Sequence, residues 1–108
     1  MMEITNKTEW GLTKREASLF KKIAKTVLGG NFELSLVICG DSLVKHNVLA
    51  YPLSKSEGEI FLNPSRKGDY NLNYLFLHAC VHLKDFGHGQ KMESVESKFL
   101  RKLKLTKN

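Results

Sequence analysis

The sequence predicts one domain that combines α-helices with β-strands, the α/β (α+β) class. Two of the observations behind this are periodicities. Apolar residues recur every three or four positions in three segments, and the first of these segments is followed by a period-two pattern rich in β-forming residues. The third is length, because 108 residues are too few for two independent cores. We therefore expect residues 1–108 to form a single domain.

The first helix is predicted over residues 13–28. Thr13 and Glu16 form a capping box, in which each side chain satisfies a free amide at the helix start. Apolar residues follow at helical spacing, and Gly29 and Gly30 provide a left-handed stop. The segment is therefore expected to be amphipathic, with one face in the core.

The strands are predicted from shorter segments. A period-two pattern rich in β-forming residues over residues 32–39, followed by a turn at Gly40 and Asp41, predicts the main strand. Residues 48–51 and 59–62 predict two more strands, each ended by a turn signal that contains proline. Residues 2–5 are expected to add an edge strand.

Two further helices are predicted in the second half of the chain. Apolar residues dominate from Leu72 until Gly87, which indicates a largely buried central helix. Residues 92–103 have helical spacing and predict a last helix, followed by a polar tail at residues 106–108.

Net charge favours a polyanionic partner. The chain has 17 Lys and Arg against 11 Asp and Glu, a formal charge of +6 at pH 7. The positive charges concentrate in residues 14–25 and 98–107, and two solvated helix faces account for them equally well.

Membrane, secretory and disulfide-rich classes are not expected. The longest apolar run, residues 34–39, is interrupted by Ser35 and is far shorter than the roughly 18 residues that a membrane helix requires. Residues 1–10 lack the apolar core of a signal peptide, so a cytoplasmic location is expected. Cys39 and Cys80 are too few for a disulfide framework, and we expect two buried thiols without a chemical role.

Three of the four histidines have metal-ligand spacing, His78-x3-His82-x5-His88. Residues four apart on a helix project from one face, so His78 and His82 can hold a single ion. Gly87 then allows the chain to reverse and bring His88 to the same point. Three imidazoles suit zinc and leave a fourth tetrahedral position open, which is typical of a catalytic site.

The histidines are also compatible with roles that involve no catalytic metal. A histidine on an apolar helix is often a hydrogen-bonded core residue, and a core position is our expectation for His46. A closed structural zinc site would need a fourth ligand, for which Asp85 and Glu93 are candidates, whereas Cys80 lies about 200° around the helix from His78.

The histidine spacing also occurs in metzincin proteases. In those enzymes a glutamate directly after the first histidine acts as the general base. Here that position is Ala79, so a peptidase is a minor alternative.

Several segments together resemble one family. LHACVHLKDFGH, residues 77–88, resembles the HGxLHLxGxDH signature of the YbeY family, bacterial zinc-dependent endoribonucleases associated with ribosomal RNA maturation and ribosome quality control. NVLAYP at residues 47–52 is similar to the family's DVLSFP, and GEIFLNP at 58–64 is similar to its GDIVIS strand. ITNKT at residues 4–8 is similar to the family's opening, and LSLVICGD at 34–41 occupies the place of its first long strand.

The resemblance implies a fold and a function. The fold would be a small mixed sheet of about four strands covered by helices, with His78 and His82 on the central helix. His78, His82 and His88 would bind one Zn²⁺ per chain. The activity would be that of a hydrolase, a single-strand-specific endoribonuclease in rRNA processing, with ribosomal RNA and ribosomal proteins as partners.

The chain departs from the family pattern near the expected active site. The family has an arginine in a longer loop before DVLSFP, whereas here only residues 42–46 lie between Asp41 and Asn47. Lys45 is the fixed cation of this loop, and it offers a point charge rather than a two-pronged grip on phosphate. Arg66 and Lys67 are predicted near strand ends beside the cleft, or else are ordinary exposed loop charges.

The catalytic groups are therefore open. Zinc itself can activate water, so no carboxylate base is obligatory, and Lys45 is the candidate side chain. Two alternatives to the nuclease are a noncatalytic zinc-containing protein that binds RNA or the ribosome, and a metallohydrolase of another substrate.

Overall fold

The computed structural model describes residues 2–84 and 92–108. It contains strands and helices in the predicted order, which confirms the α/β (α+β) class. In chain order the elements are β1 (Met2–Asn6), α1 (Lys14–Leu28), β2 (Glu33–Ile38), β3 (Val48–Ser54), β4 (Glu57–Leu62), a 3₁₀ helix (Pro64–Arg66), α2 (Leu72–Lys84) and α3 (Met92–Leu103).

The four strands form one mixed sheet in the order β1-β2-β4-β3. β2 is parallel to both β1 and β4, and β3 runs antiparallel to β4. The two inner strands carry the sheet's core residues, with Leu36 opposite Ile60 and Ile38 opposite Leu62, all four fully buried. β3 is left at one edge of the sheet, next to α2.

Helix α1 begins and ends as its sequence predicts. Thr13 caps the helix by accepting a hydrogen bond from the amide of Glu16, whose carboxylate in turn accepts from the amide of Thr13. Gly29 ends the helix with a φ of 89°, a conformation that L-residues with a Cβ rarely adopt. Across residues 2–84 and 92–108, no helix is both long and apolar enough to cross a bilayer.

Helix α2 is the centre of the fold. It contacts α1, α3, β3 and β4, and for this reason it is apolar around most of its circumference. Phe76 on α2 packs against Phe20 on α1 with ring centroids 5.0 Å apart. At the end of α2, Lys84 Nζ donates a hydrogen bond of 3.1 Å to the carbonyl oxygen of Val27. Nine of the thirteen residues of α2 are buried, and they are Leu72, Tyr74, Leu75, Phe76, Leu77, Ala79, Cys80, Val81 and Leu83.

Strand β3 is longer than predicted. The predicted strand ends before Pro52, whereas the observed strand continues to Ser54 with an irregular register between Pro52 and Ser54. Proline is tolerated here because β3 is an edge strand, so the missing amide hydrogen of Pro52 costs the sheet no hydrogen bond on its open side. The predicted continuation of α2 to Gly87 lies outside the described residues.

Gly58 supports the packing of α2 on the sheet. A Cβ at this buried position of β4 would lie 2.9 Å from Leu83 Cδ1 and 3.3 Å from Phe32 Cε1. Leu83 adjoins His82, so an enlarged residue 58 would press on the last turn of α2.

We expect Gly58→Ala to lower the free energy of unfolding by about 1–3 kcal/mol, because Leu83 must move to admit the methyl group. Gly11→Ala is the matched control, since no atom lies within 4 Å of the position of its Cβ. Urea unfolding of both variants at neutral pH measures the difference. Equal stability of the two variants would contradict this account of Gly58.

Candidate metal centre and cleft

A cleft of about 400 Å³ lies between the edge strand β3 and helix α2. One wall comes from β3 and the residue before it, and the other comes from the exposed side of α2. The residues lining it are Asn47, Val48, Leu49, Ala50, Pro52, His78, Ala79, His82 and Leu83. Two of the three predicted metal ligands, His78 and His82, therefore lie in one cleft with the NVLAYP segment.

His78 and His82 face each other one helical turn apart. Their Nε2 atoms are 3.1 Å apart, and the two rings are nearly perpendicular, at 83°. Burial and the neighbouring His78 lower the pKa of His82, while Glu96 acts in the opposite direction. His82 is therefore neutral at pH 7, the form in which imidazole binds a metal.

The other side of His78 is bound to a buried carboxylate. His78 Nδ1 lies 2.6 Å from Glu96 Oε2, and the Tyr74 hydroxyl donates a hydrogen bond of 2.5 Å to Glu96 Oε1. Glu96 is on α3, and only 4% of its surface is exposed. Burial and the carboxylate of Glu96 raise the pKa of Tyr74. The phenol therefore stays protonated and acts as a hydrogen-bond donor to Glu96.

Glu96 is not among the residues predicted from the sequence. Its signal was present, since Glu96 lies within the apolar stripe of α3, directly after Val95 and three residues before Phe99. A carboxylate on a buried helix face requires hydrogen-bonding partners. Glu93, a candidate fourth ligand, is exposed, and Asp85 lies outside the described residues.

The imidazole pair fits a shared zinc ion. Two nitrogens bound at about 2.0–2.1 Å to one tetrahedral zinc are roughly 3.3–3.4 Å apart, close to the 3.1 Å between the Nε2 atoms of His78 and His82. Within residues 2–84 and 92–108, no three His, Cys, Asp or Glu side chains are grouped as a metal site. The third predicted ligand, His88, lies outside this part of the chain.

The remaining residues singled out in the sequence have different surroundings. His46 is exposed in the bend before β3, so the expectation of a core histidine was wrong. Its exposure is decided by the path of this bend, which runs along the surface at His46. Cys39 and Cys80 are both free and buried, as expected, and burial raises the pKa of each thiol. Lys45 is exposed and precedes the cleft residue Asn47 by two positions.

Arg66 is held by Asp41 in a two-pronged ion pair. Arg66 Nε donates to Asp41 Oδ1 and its second terminal nitrogen donates to Oδ2, each at 2.8 Å. The fully buried Asn63 also donates to Asp41 Oδ1, at 2.8 Å, and to the carbonyl oxygen of Val44. These bonds join the segments that follow β2 and β4, and they engage the guanidinium that was a candidate for phosphate binding.

Hydrogen bonds from Arg66 and Asn63 hold the pKa of Asp41 well below its usual value of 3.8. We expect Arg66→Ala to raise that pKa toward 3.8, leaving the hydrogen bonds of Asn63 and Ser65 as the remaining cause of a lower value. Carboxyl NMR titration measures the shift, with Arg101→Ala, an exposed arginine on α3, as the control.

The same substitution has a defined pH dependence. A carboxyl whose pKa is lower in the folded chain than in the unfolded chain stabilises the fold above the unfolded pKa, and this contribution is lost on acidification. The wild type should therefore exceed Arg66→Ala in stability at neutral pH. The difference should begin to shrink as the pH falls toward 3.8 and disappear only when the pH has fallen through the much lower pKa of Asp41 in the folded wild type. A difference that persists at low pH would contradict the ion pair as its source.

Comparison with known proteins adds no relative. No protein-family model matches the chain, and no curated protein matches it significantly in sequence. The resemblance to the YbeY family stays a prediction carried by the short segments quoted above.

Proposed function

We propose that the chain is a zinc-dependent hydrolase of the YbeY type that cleaves single-stranded RNA during ribosomal RNA maturation and ribosome quality control. The observation that carries the proposal is the pair of Nε2 atoms, on His78 and His82, 3.1 Å apart in the cleft between β3 and α2. His88 completes the ligand set by its spacing in the sequence. We propose one Zn²⁺ per chain.

The described residues have separable tasks in such a site. His78 and His82 would hold the ion through Nε2, and the lowered pKa of His82 keeps its imidazole neutral. When bound there, a zinc ion would supply Lewis-acid chemistry, by which water is activated and charge on a phosphoryl oxygen is offset. Ala79 and Leu83 line the cleft beside the histidines and supply its apolar surface on α2.

Charge supports RNA as the substrate. A net charge of +6 favours a polyanion, because phosphate binding releases counterions. Lys45 lies in the bend at the end of the cleft where Asn47 begins the lining, and it makes no ion pair with another described residue. We propose that Lys45 contacts the RNA backbone. Ribosomal proteins as partners and a cytoplasmic location belong to the same proposal.

A second candidate is a noncatalytic zinc-containing protein that binds RNA or the ribosome. It is favoured by the composition of the cleft, where His78 and His82 are the titratable residues among those that line it. Arg66 is neutralised by Asp41. Among the groups described in residues 2–84 and 92–108, charge stabilisation during phosphodiester cleavage would then rest on the proposed zinc and on the proposed contact of Lys45. A metallohydrolase of another substrate would use the same site.

The first test measures zinc content and cleavage of a single-stranded RNA in the same preparations. We expect about one zinc per chain in the wild type, and we expect chelation to abolish cleavage. His82→Ala should lose both zinc and cleavage, because one Nε2 ligand is removed. His46→Ala is the matched control, since His46 is exposed and does not line the cleft.

Each outcome selects one candidate. Cleavage that resists chelation contradicts zinc catalysis. Zinc with RNA binding but no turnover selects the noncatalytic protein, and zinc with hydrolysis that shows no preference for RNA selects the hydrolase of another substrate. A wild-type chain without zinc would leave the histidines as a hydrogen-bonded pair supported by Glu96.

Lys45 is tested against a lysine at the opposite end of β3. Lys45→Ala should weaken RNA binding and reduce the slope of log Kd against log salt by about 1, as expected for the loss of one phosphate contact. Lys55→Ala removes the same charge from the exposed β3–β4 turn. Equal effects of the two substitutions would assign the binding to net charge rather than to Lys45.

A further inference from the structure

We propose that Glu96 is a positioning residue of the metal site: together with Tyr74 it holds His78 in the tautomer protonated at Nδ1, so that the Nε2 lone pair faces His82. The inference rests on the proposed zinc site and deepens it, since it accounts for how one ligand is prepared before the metal binds. Neither Tyr74 nor Glu96 lines the cleft.

The burial of Glu96 requires a specific reason. An ionised carboxylate is costly to bury unless donors satisfy it, and replacing Glu96 by an apolar residue would remove that cost. Its two oxygens are each used by a different partner, Tyr74 at 2.5 Å and His78 at 2.6 Å. These are short distances, typical of charge-assisted hydrogen bonds.

Counting donors and acceptors defines the tautomer. A carboxylate only accepts hydrogen bonds, and a phenol at Oε1 supplies one of the two donors. The partner at Oε2 must then also donate, so Nδ1 of His78 carries the proton. A neutral imidazole has one N–H, which leaves Nε2 of His78 with its lone pair.

The freed lone pair is aimed at the second ligand. His78 Nε2 lies 3.1 Å from His82 Nε2, which is within hydrogen-bond distance. The proposed tautomer of His78, protonated at Nδ1, requires His82 to donate its Nε2–H to this lone pair when no metal is bound. A ligating histidine whose second nitrogen donates to a carboxylate is a recurrent arrangement, because the carboxylate orients the ring and raises its basicity. Here the carboxylate comes from α3, eighteen positions along the chain.

A purely structural role for Glu96 makes a different prediction. If Glu96 only fastened α3 to α2, a substitution that keeps its shape and its hydrogen bonds would leave His78 and metal binding unchanged. Glutamine is such a substitution, but its amide can donate as well as accept. In Glu96→Gln the amide NH₂ can therefore bond an unprotonated Nδ1 and permit the opposite tautomer, with Nε2 blocked by its own hydrogen.

The test has two readouts besides catalysis, which are the ¹⁵N chemical shifts of His78 in the metal-free chain and the zinc Kd from competition with a chromophoric chelator. In the wild type we expect His78 to be protonated at Nδ1. In Glu96→Gln we expect a mixture of tautomers and zinc affinity roughly 10- to 100-fold weaker. Tyr74→Phe, which removes one donor to Glu96, should weaken zinc binding less than Glu96→Gln does. Glu9→Gln, an exposed glutamate after β1, is the charge-matched control and should leave both readouts unchanged.

The inference is overturned if wild-type His78 is protonated at Nε2, a measurement that needs no variant. It is also overturned if Glu96→Gln, folded as judged by its thermal transition, binds zinc as tightly as Glu9→Gln. A wild type that binds no zinc removes the metal site and the positioning role together. A wild type that binds zinc but cleaves no RNA removes only the nuclease proposal and leaves the role of Glu96 supported.

Discussion

The burial of helix α2 is the constraint on which the rest of the structure depends. The sheet, α1 and α3 each cover part of the surface of α2. Because it is covered on several sides, α2 carries apolar side chains around most of its circumference. The contact between Phe20 and Phe76 and the hydrogen bond from Lys84 to Val27 fix α2 against α1. Gly58 allows the last turn of α2 to approach β4 closely. These contacts set the direction in which α2 presents the side chains on its open face.

The open face of α2 is where its polar chemistry is concentrated. His78 and His82 are directed away from the core, into the space between α2 and the edge strand β3. Glu96 reaches His78 from α3. The packing of α3 against α2 therefore also supplies the polar partner that a half-buried imidazole needs. The same packing that stabilises the fold thus arranges the two imidazoles, and preparing the site requires little additional ordering.

Much of the fold could be predicted from the sequence because its signals are local. The capping pair Thr13 and Glu16, the stop at Gly29 and the helical spacing of α3 all act within a few residues, and all three are confirmed. β3 was predicted too short because proline normally ends the hydrogen-bonded ladder of a strand. At the edge of the sheet the amide hydrogen that Pro52 lacks has no strand to bond, so the strand continues. The mixed sheet followed from the resemblance to the YbeY family rather than from periodicity.

The candidate site was predictable only in part. The approach of His78 and His82 follows from helical geometry alone, since they are four residues apart. Glu96 and the pairing of Asp41 with Arg66 depend on contacts 18 and 25 positions apart, which no local pattern specifies. His46 was expected in the core because isolated histidines often occupy hydrogen-bonded core positions. Its exposure depends on the path of the bend before β3, which the residue type does not determine.

The irregular end of β3 bears on the self-association of the protein. A sheet edge with regular free amides and carbonyls is a template onto which a strand of another molecule can add. Pro52 removes one amide donor from this edge, and the break in register between Pro52 and Ser54 bends the strand away from a flat ladder. Addition of a strand along β3 would cover the space beside the histidines, and the irregular end of β3 disfavours such an addition.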